Sequence, residues 1–96
     1  MSKSKPEQIR SLEKYYRVTF KQKQDFAAFD GVGYNSFATD NDNNIIALTI
    51  IDSGVQDLRP IRELSSLVYL DLTNNQIEDI SPLFPNKELK HLFLGG

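Results

Sequence analysis

The sequence predicts an α/β fold: a short solenoid of about two and a half repeats, closed at its N-terminal end by a helix and a β-hairpin. Three observations predict it. The second half of the chain is one motif written twice and begun a third time, with a period of 22 residues. The first residues carry an apolar stripe at helical spacing. Between the two lie alternating segments separated by a polar turn. The chain therefore divides into a cap, residues 1–44, and repeats at 45–66, 67–88 and, in part, 89–96.

The cap comes first. Ser4 and Glu7 have the spacing of a capping box, with Ser4 as N-cap. Behind them Ile9, Leu12 and Tyr16 fall on one helical face, while Arg10, Glu13, Lys14 and Arg17 lie elsewhere, which predicts a helix over 5–17. Val18 and Thr19 are β-branched and end it. Residues 22–29 have the pattern of a second short helix, with Phe26 and Phe29 on one side and Gly31 and Gly33 ending it. Residues 34–39 alternate and read as a strand. Asp40 to Asn44 is a turn, and 45–51 is the strand that opens the repeats.

The repeat is specific. Ile45, Leu48, Ile50, Val55, Leu58, Pro60 and Ile61 recur as Leu67, Leu70, Leu72, Ile77, Ile80, Pro82 and Leu83, and Leu89, Leu92 and Leu94 start a third copy. Leu70 and Leu72 are two apart and share one face of a strand, so they point into a core. Tyr69, Asp71 and Thr73 point the other way. Ile77, Ile80 and Leu83 are expected to close the core from the opposite side, with Pro82 favouring a 3₁₀ or extended return. Ser53 stands where the second copy has Asn75, which predicts a looser first turn. Asn86 stands where the first copy has Leu64, which predicts a frayed or remodelled segment near 85–87.

A period in this range with an L-x-x-L-x-L core is the mark of a leucine-rich repeat. The stretch from Leu67 through Asn75 to Pro82 and Leu83 resembles the 22-residue repeat class of bacterial internalin-like proteins, over residues 45–96. Asp79-Ile80-x-Pro82-Leu83 is similar to the convex-side segment of that class, as is Asp57-Leu58-x-Pro60-Ile61. The resemblance implies stacked parallel strands, an asparagine at 75 bonding backbone groups of its turn, and binding of a protein partner rather than catalysis. It implies no cofactor and no metal.

Composition narrows the alternatives. Hydrophobic residues make up 40% of the 96-residue chain and charged residues 25%, as in an ordinary globular domain. There is no long apolar run for a membrane span and no apolar stretch behind the N-terminus for a secretory signal. Cysteine is absent, which removes thiol chemistry and is compatible with the expected cytoplasmic location. Residues 1–24 carry seven basic and two acidic side chains; residues 25–96 carry four basic and eleven acidic. A basic arm of this kind can meet nucleic acid. Here the basic residues are mixed with glutamates and no nucleic-acid motif accompanies them, so a solvated helix face is favoured. Asp40-x-Asp42-x-Asn44 imitates the start of a calcium loop, but Ile45 and Ile51 occupy its glycine and final acidic positions. Gly31-x-Gly33-x-x-Ser36 is a broken dinucleotide fingerprint. His91, the one histidine, has no sequence partner for catalysis.

Function is therefore expected on the strand face or at the open C-terminal end, either of which would bind a protein partner. Stacking the copies gives three columns: Ala47, Tyr69, His91; Thr49, Asp71, Phe93; and Ile51, Thr73, Gly95. Tyr69, His91 and Phe93 group as aromatic anchors around Asp71, a composition typical of protein interfaces. The expected partner-binding residues are Thr49, Ile51, Tyr69, Asp71, Thr73, His91 and Phe93. The alternatives are a self-assembling unit or the N-terminal part of a longer solenoid. In either case the edge Leu89, Leu92, Leu94 is expected to be half covered and to pair, in the simplest case as a twofold homodimer.

Overall fold

A computed structural model describes residues 5–23 and 34–95. They form an α/β fold with one α-helix, α1 (Glu7–Tyr16), and an open five-stranded sheet. The strands are β1 (Lys21–Gln22), β2 (Ser36–Thr39), β3 (Ile45–Thr49), β4 (Tyr69–Asp71) and β5 (His91–Phe93), and they lie side by side in chain order. β2 and β3 are antiparallel; the other three pairings are parallel. No helix of the described residues is long and apolar enough to cross a membrane.

The helix begins two residues later than the capping box requires. Pro6 is the N-cap, and its carbonyl accepts the amides of Ile9 and Arg10. Its fixed φ and extended ψ suit that position without a side-chain cap. Ser4 lies outside the described residues. Ile9 and Leu12 are buried, Tyr16 is half-buried, and Tyr15 is exposed. The helix ends as expected at Arg17, which takes a left-handed conformation (φ 59°) while the Val18 amide donates back to the Glu13 carbonyl. Glu13 then ties both flanks of the helix. Its Oε2 accepts Lys5 Nζ at 2.6 Å and the Phe20 amide at 2.9 Å. Burial opposes that charge, but the two donors outweigh it and hold the carboxyl below its ordinary range.

The β1 strand was not expected. Gln22, read as the start of a second helix, lies in it, and Lys23 follows it with its amide donating to the Phe37 carbonyl; residues 24–29 of that predicted helix, and Gly31 and Gly33, fall outside the described residues. The expected hairpin is present in shorter form. Ser36 pairs with Thr49, Phe37 with Leu48 and Ala38 with Ala47, with a register shift before Thr39 and Ile45. Asp40 builds the connecting turn. Its Oδ1 accepts the amides of Asp42 and Asn44, both at 2.9 Å, and its Oδ2 accepts Asn44 Nδ2. Asn43 supplies the positive φ of 65°. The would-be calcium ligand is thus engaged by its own turn. These contacts, the Asn44 amide first, lower the Asp40 pKa.

The 22-residue offset seen in the sequence is the register of the parallel strands. Ala47, Leu48 and Thr49 pair with Tyr69, Leu70 and Asp71, and these pair with His91, Leu92 and Phe93. The match extends past the strands. Asp52 and Asn74 both adopt left-handed backbone, φ 50° and 61°. Each copy then returns through a 3₁₀ segment, Arg59–Glu63 and Ser81–Leu83, with proline in its first turn. Asp57 Oδ1 accepts the Arg59 amide at 3.0 Å, and Asp79 Oδ1 accepts the Ser81 amide at 2.9 Å. The aspartate of the recurring Asp-Leu/Ile-x-Pro segment therefore closes the turn that leads into it, holding its first amide.

One core joins α1 to both copies: Ile9 and Leu12 with Phe20, Phe37, Leu48, Ile50, Leu58, Ile61, Leu70 and Leu72, all nearly inaccessible. The prediction that Ile80 closes the core fails, since 38% of it is exposed whereas its counterpart Leu58 is 1% exposed. The 3₁₀ segment of the second copy lies beside that of the first. Among the described residues no further segment lies beyond Ile80 to cover it in turn. Asn86 is not frayed. It is buried, its Nδ2 donates to the Leu64 carbonyl at 2.8 Å, and only its Oδ1 lacks a partner.

Candidate functional site

Successive residues of a strand project to opposite faces. Leu48, Leu70 and Leu72 go to the core, so the register brings Ala47, Tyr69 and His91 together on the other face, with Thr49, Asp71 and Phe93 beside them. The Tyr69 and Phe93 ring centroids are 5.4 Å apart and tilted at 47°, and His91 stands 6.1 Å from Tyr69. These separations are those of contacting aromatic rings. Two of the three expected columns are therefore assembled. The third, Ile51, Thr73 and Gly95, lies just past the strand ends, where the ladder continues through Asp52 N–H to Thr73 C=O and Asn74 N–H to Gly95 C=O.

Exposure along this face is graded, and this corrects the expected site. Thr49 has no exposed surface and Asp71 has 7%. Ile51, Tyr69 and Thr73 are half-buried; His91 is exposed and Phe93 is 46% exposed. Thr49 lies in the middle of the sheet between Ser36 and Asp71, two other buried residues. Tyr69 packs on the buried pair Ala38 and Ala47. Its ring is thus partly structural, and the accessible anchors are His91 and Phe93. Asp71 turns toward its own strand end: its Oδ1 accepts the Thr73 amide at 3.0 Å and the Thr73 hydroxyl at 2.6 Å.

The edge leucines behave unequally. Leu89 and Leu92 are half-buried against the core, and Leu94 is 40% exposed. The β5 strand is an outer strand of the sheet. Of the basic segment, Lys5 is paired with Glu13, and the Lys21 and Lys23 ammonium groups lie 5.1 and 5.7 Å from the centre of the Tyr34 ring.

A second polar cluster was missed in the sequence. Tyr15 Oη donates to Asp57 Oδ2 at 2.6 Å, Tyr16 Oη donates to the Asp57 carbonyl, and Arg59 grips the same carboxylate through Nε and Nη2. Arg59, then Tyr15, hold the Asp57 carboxyl well below the usual carboxylate range. Asp57 in turn raises the Tyr15 phenol, and burial raises that of Tyr16. The cluster fastens α1 to the first 3₁₀ segment. The recurrence of aspartate at 57 and 79 marks the turn and not this cluster, since Asp79 bonds only to Ser81 among the described residues. Among the described residues no group of three His, Cys, Asp or Glu is placed to hold a metal ion.

Compared with protein-family models, with curated proteins and with solved structures, the chain matches none.

Proposed function

We propose that the chain is a leucine-rich repeat solenoid that binds a protein partner through its strand face, without catalysis. The observation that carries this reading is the aromatic group Tyr69, His91 and Phe93, held on register-matched strands with Phe93 46% exposed. Aromatic side chains fixed by a rigid scaffold are efficient anchors, because little conformational freedom remains to be lost on binding. The solenoid part of the reading is supported by the 22-residue register, the paired left-handed residues and the paired proline-containing 3₁₀ segments.

The test compares the intact chain with a His91→Ala, Phe93→Ala double variant in affinity capture from the source cell. Proteins held by the first and lost by the second are candidate partners. Thermal stability should stay nearly unchanged, because both side chains are solvent-facing. Equal recovery of every captured protein would sink the face as the binding site.

A second reading is self-association. Ile80, Phe84, Phe93 and Leu94 are four of the exposed large apolar residues, and all lie in the last two copies. An uncovered strand edge beside them is a template for pairing. Light scattering at micromolar concentration separates the two readings, since a monomer of 11.0 kDa removes the homodimer.

A further inference from the structure

We infer that the side chains of Lys21, Lys23 and Tyr34 form a seat for a backbone phosphate of a single-stranded nucleic acid. The seat is on β1, one of the two outer strands of the sheet, and is separate from the proposed protein-binding face. Lys21 and Lys23 are alternate residues, so their side chains leave the strand on one face. Their backbone is fixed: the two amides donate to the carbonyls of Asn35 and Phe37 at 3.0 and 2.8 Å. Gln22, between them, reaches Thr39 instead, Nε2 to Oγ1 at 3.3 Å. Tyr34 stands just before β2 and gathers both lysines, with their ammonium nitrogens 5.1 and 5.7 Å from its ring centre.

Two like charges converge on this ring without a counter-ion. The ion pairs among the described residues are Lys5 with Glu13 and Arg59 with Asp57, so neither ammonium has a carboxylate. An exposed ring attracts each ammonium weakly and does not neutralise it. Tyr34 Oη accepts Lys23 Nζ at 3.3 Å, which leaves its own proton to donate. The seat thus offers two cations and an O–H donor, and it is reachable: Lys21 is exposed and Tyr34 is 38% exposed. In the sequence these bases run together with two glutamates; in the fold they part. Glu13 is held by Lys5 and the Phe20 amide, and Glu7 stays on α1. Residues 1–24, seven bases against two acids, supply the field that draws a polyanion. A bilayer fits less well, because Phe93 and Leu94, exposed side chains that could enter it, lie at the opposite edge of the sheet. A strand of two residues is too short to fill a duplex groove, so a single strand is the better match.

The probe is a short fluorescein-labelled single-stranded oligodeoxynucleotide, titrated with the full chain and followed by fluorescence anisotropy at several salt concentrations. Affinity should fall as salt rises, with a log–log slope of about −0.7 per phosphate neutralised. Lys21→Gln with Lys23→Gln should weaken binding about tenfold at low salt and flatten the slope by about 0.7 for each lysine. Tyr34→Phe keeps the ring and removes only the O–H, for a loss of about threefold. Arg10→Gln with Lys14→Gln removes the same charge from α1 and should change affinity by less than about twofold. Melting temperatures report whether each variant folds. Amide chemical shifts of the unaltered, isotope-labelled chain need no variant, and saturable shifts at Lys21, Lys23 and Tyr34 are expected with the oligonucleotide. No salt-dependent binding, equal losses in the β1 and α1 double variants, or saturable shifts only elsewhere would overturn the seat. Equally tight binding of poly-glutamate, or binding of phosphatidylserine vesicles without binding of the oligonucleotide, would overturn its assignment to nucleic acid.

Discussion

Repeat one (45–66) and repeat two (67–88) share a template but close their turns by different means. In repeat two a single side chain does it. Asn75 Nδ2 donates to the carbonyls of Ile50 and Leu72 at 2.7 and 2.9 Å, and its Oδ1 accepts the amides of Ser53 and Val55 at 3.0 and 3.1 Å. It therefore stitches its own turn to the preceding one. In repeat one the same position is Ser53, whose hydroxyl donates to the Ile51 carbonyl and offers no acceptor to the amides of the turn. The missing acceptor comes from the cap: Asn35 Oδ1 accepts the Ile51 amide at 2.8 Å and its Nδ2 donates to Ser53 Oγ. The backbone differs too, with Gly54 at φ 68° in the first turn and no left-handed residue at Gln76. The first turn is thus not loose, as its serine implied, but is completed from outside the repeat.

The largest effect is expected from the shared core. Leu48 and Leu70 are both fully buried register partners. Leu70→Ala should cost about 2–5 kcal/mol in urea unfolding, as for a buried leucine leaving a cavity. Leu48→Ala should cost at least as much, because Leu48 lies between β2 and β4, whereas the outer neighbour of Leu70 is the half-buried Leu92. A near-neutral Leu70→Ala would break the comparison at its root.

The turns come next. Asn75→Ala leaves two carbonyls and two amides of the turns without partners, and a loss of about 2–4 kcal/mol is expected. Asn35→Ala frees one amide and one weak contact and should cost about 1–2 kcal/mol, with Ser53→Ala below that. Unfolding curves that ranked Ser53→Ala above Asn35→Ala would show that repeat one closes its own turn after all.

The same comparison shows what the sequence could reveal. Strand positions, register and the two proline turns followed from a period of 22, because equivalent residues in a stack meet equivalent neighbours. The aromatic grouping followed from the register alone. What was not legible depends on non-periodic contacts. Nothing local marks Lys21 and Gln22 as a strand; they pair because Asn35 and Phe37 offer carbonyls to the amides of Lys21 and Lys23. Nothing marks Asn35 as a stand-in for a repeat asparagine. The burial of Thr49 was missed because a period shows which face a side chain takes, not how deep it lies.

A smaller effect concerns the two 3₁₀ caps. Asp57 and Asp79 cap equivalent amides, but Asp57 alone is also bound by Arg59 and Tyr15. Its carboxyl pKa is depressed on folding, so its stabilisation is fully present above the unfolded value of about 4 and is lost as pH falls through the folded value. Asp57→Asn should therefore lower the melting temperature at pH 7, and the gap to the unaltered chain should begin to narrow below about pH 4 and close only as pH falls through the folded value. The Asp79 carboxyl is also lowered, through the Ser81 amide, and Asp79→Asn should show the same trend with a smaller gap. A gap for Asp57→Asn that is independent of pH would assign its role to shape rather than charge.

The smallest effect is expected where the repeats differ most in polarity. Leu64 and Asn86 occupy equivalent positions, and both are buried. Asn86 gains one hydrogen bond, to the Leu64 carbonyl, and leaves its own Oδ1 unmet. Asn86→Leu would restore the apolar residue of repeat one. It removes the unmet oxygen and adds buried hydrocarbon, both favourable, but it also strands the Leu64 carbonyl and enlarges the side chain. These contributions are each on the order of 1–2 kcal/mol and opposite in sign, so a net change within about 1 kcal/mol is expected. Its sign should be stabilising, because the polar site is already only half satisfied and a carbonyl tolerates the loss of one partner better than an amide does. A loss of more than about 2 kcal/mol in urea unfolding would mean that the Asn86 to Leu64 bond binds the two repeats together as firmly as Asn75 does.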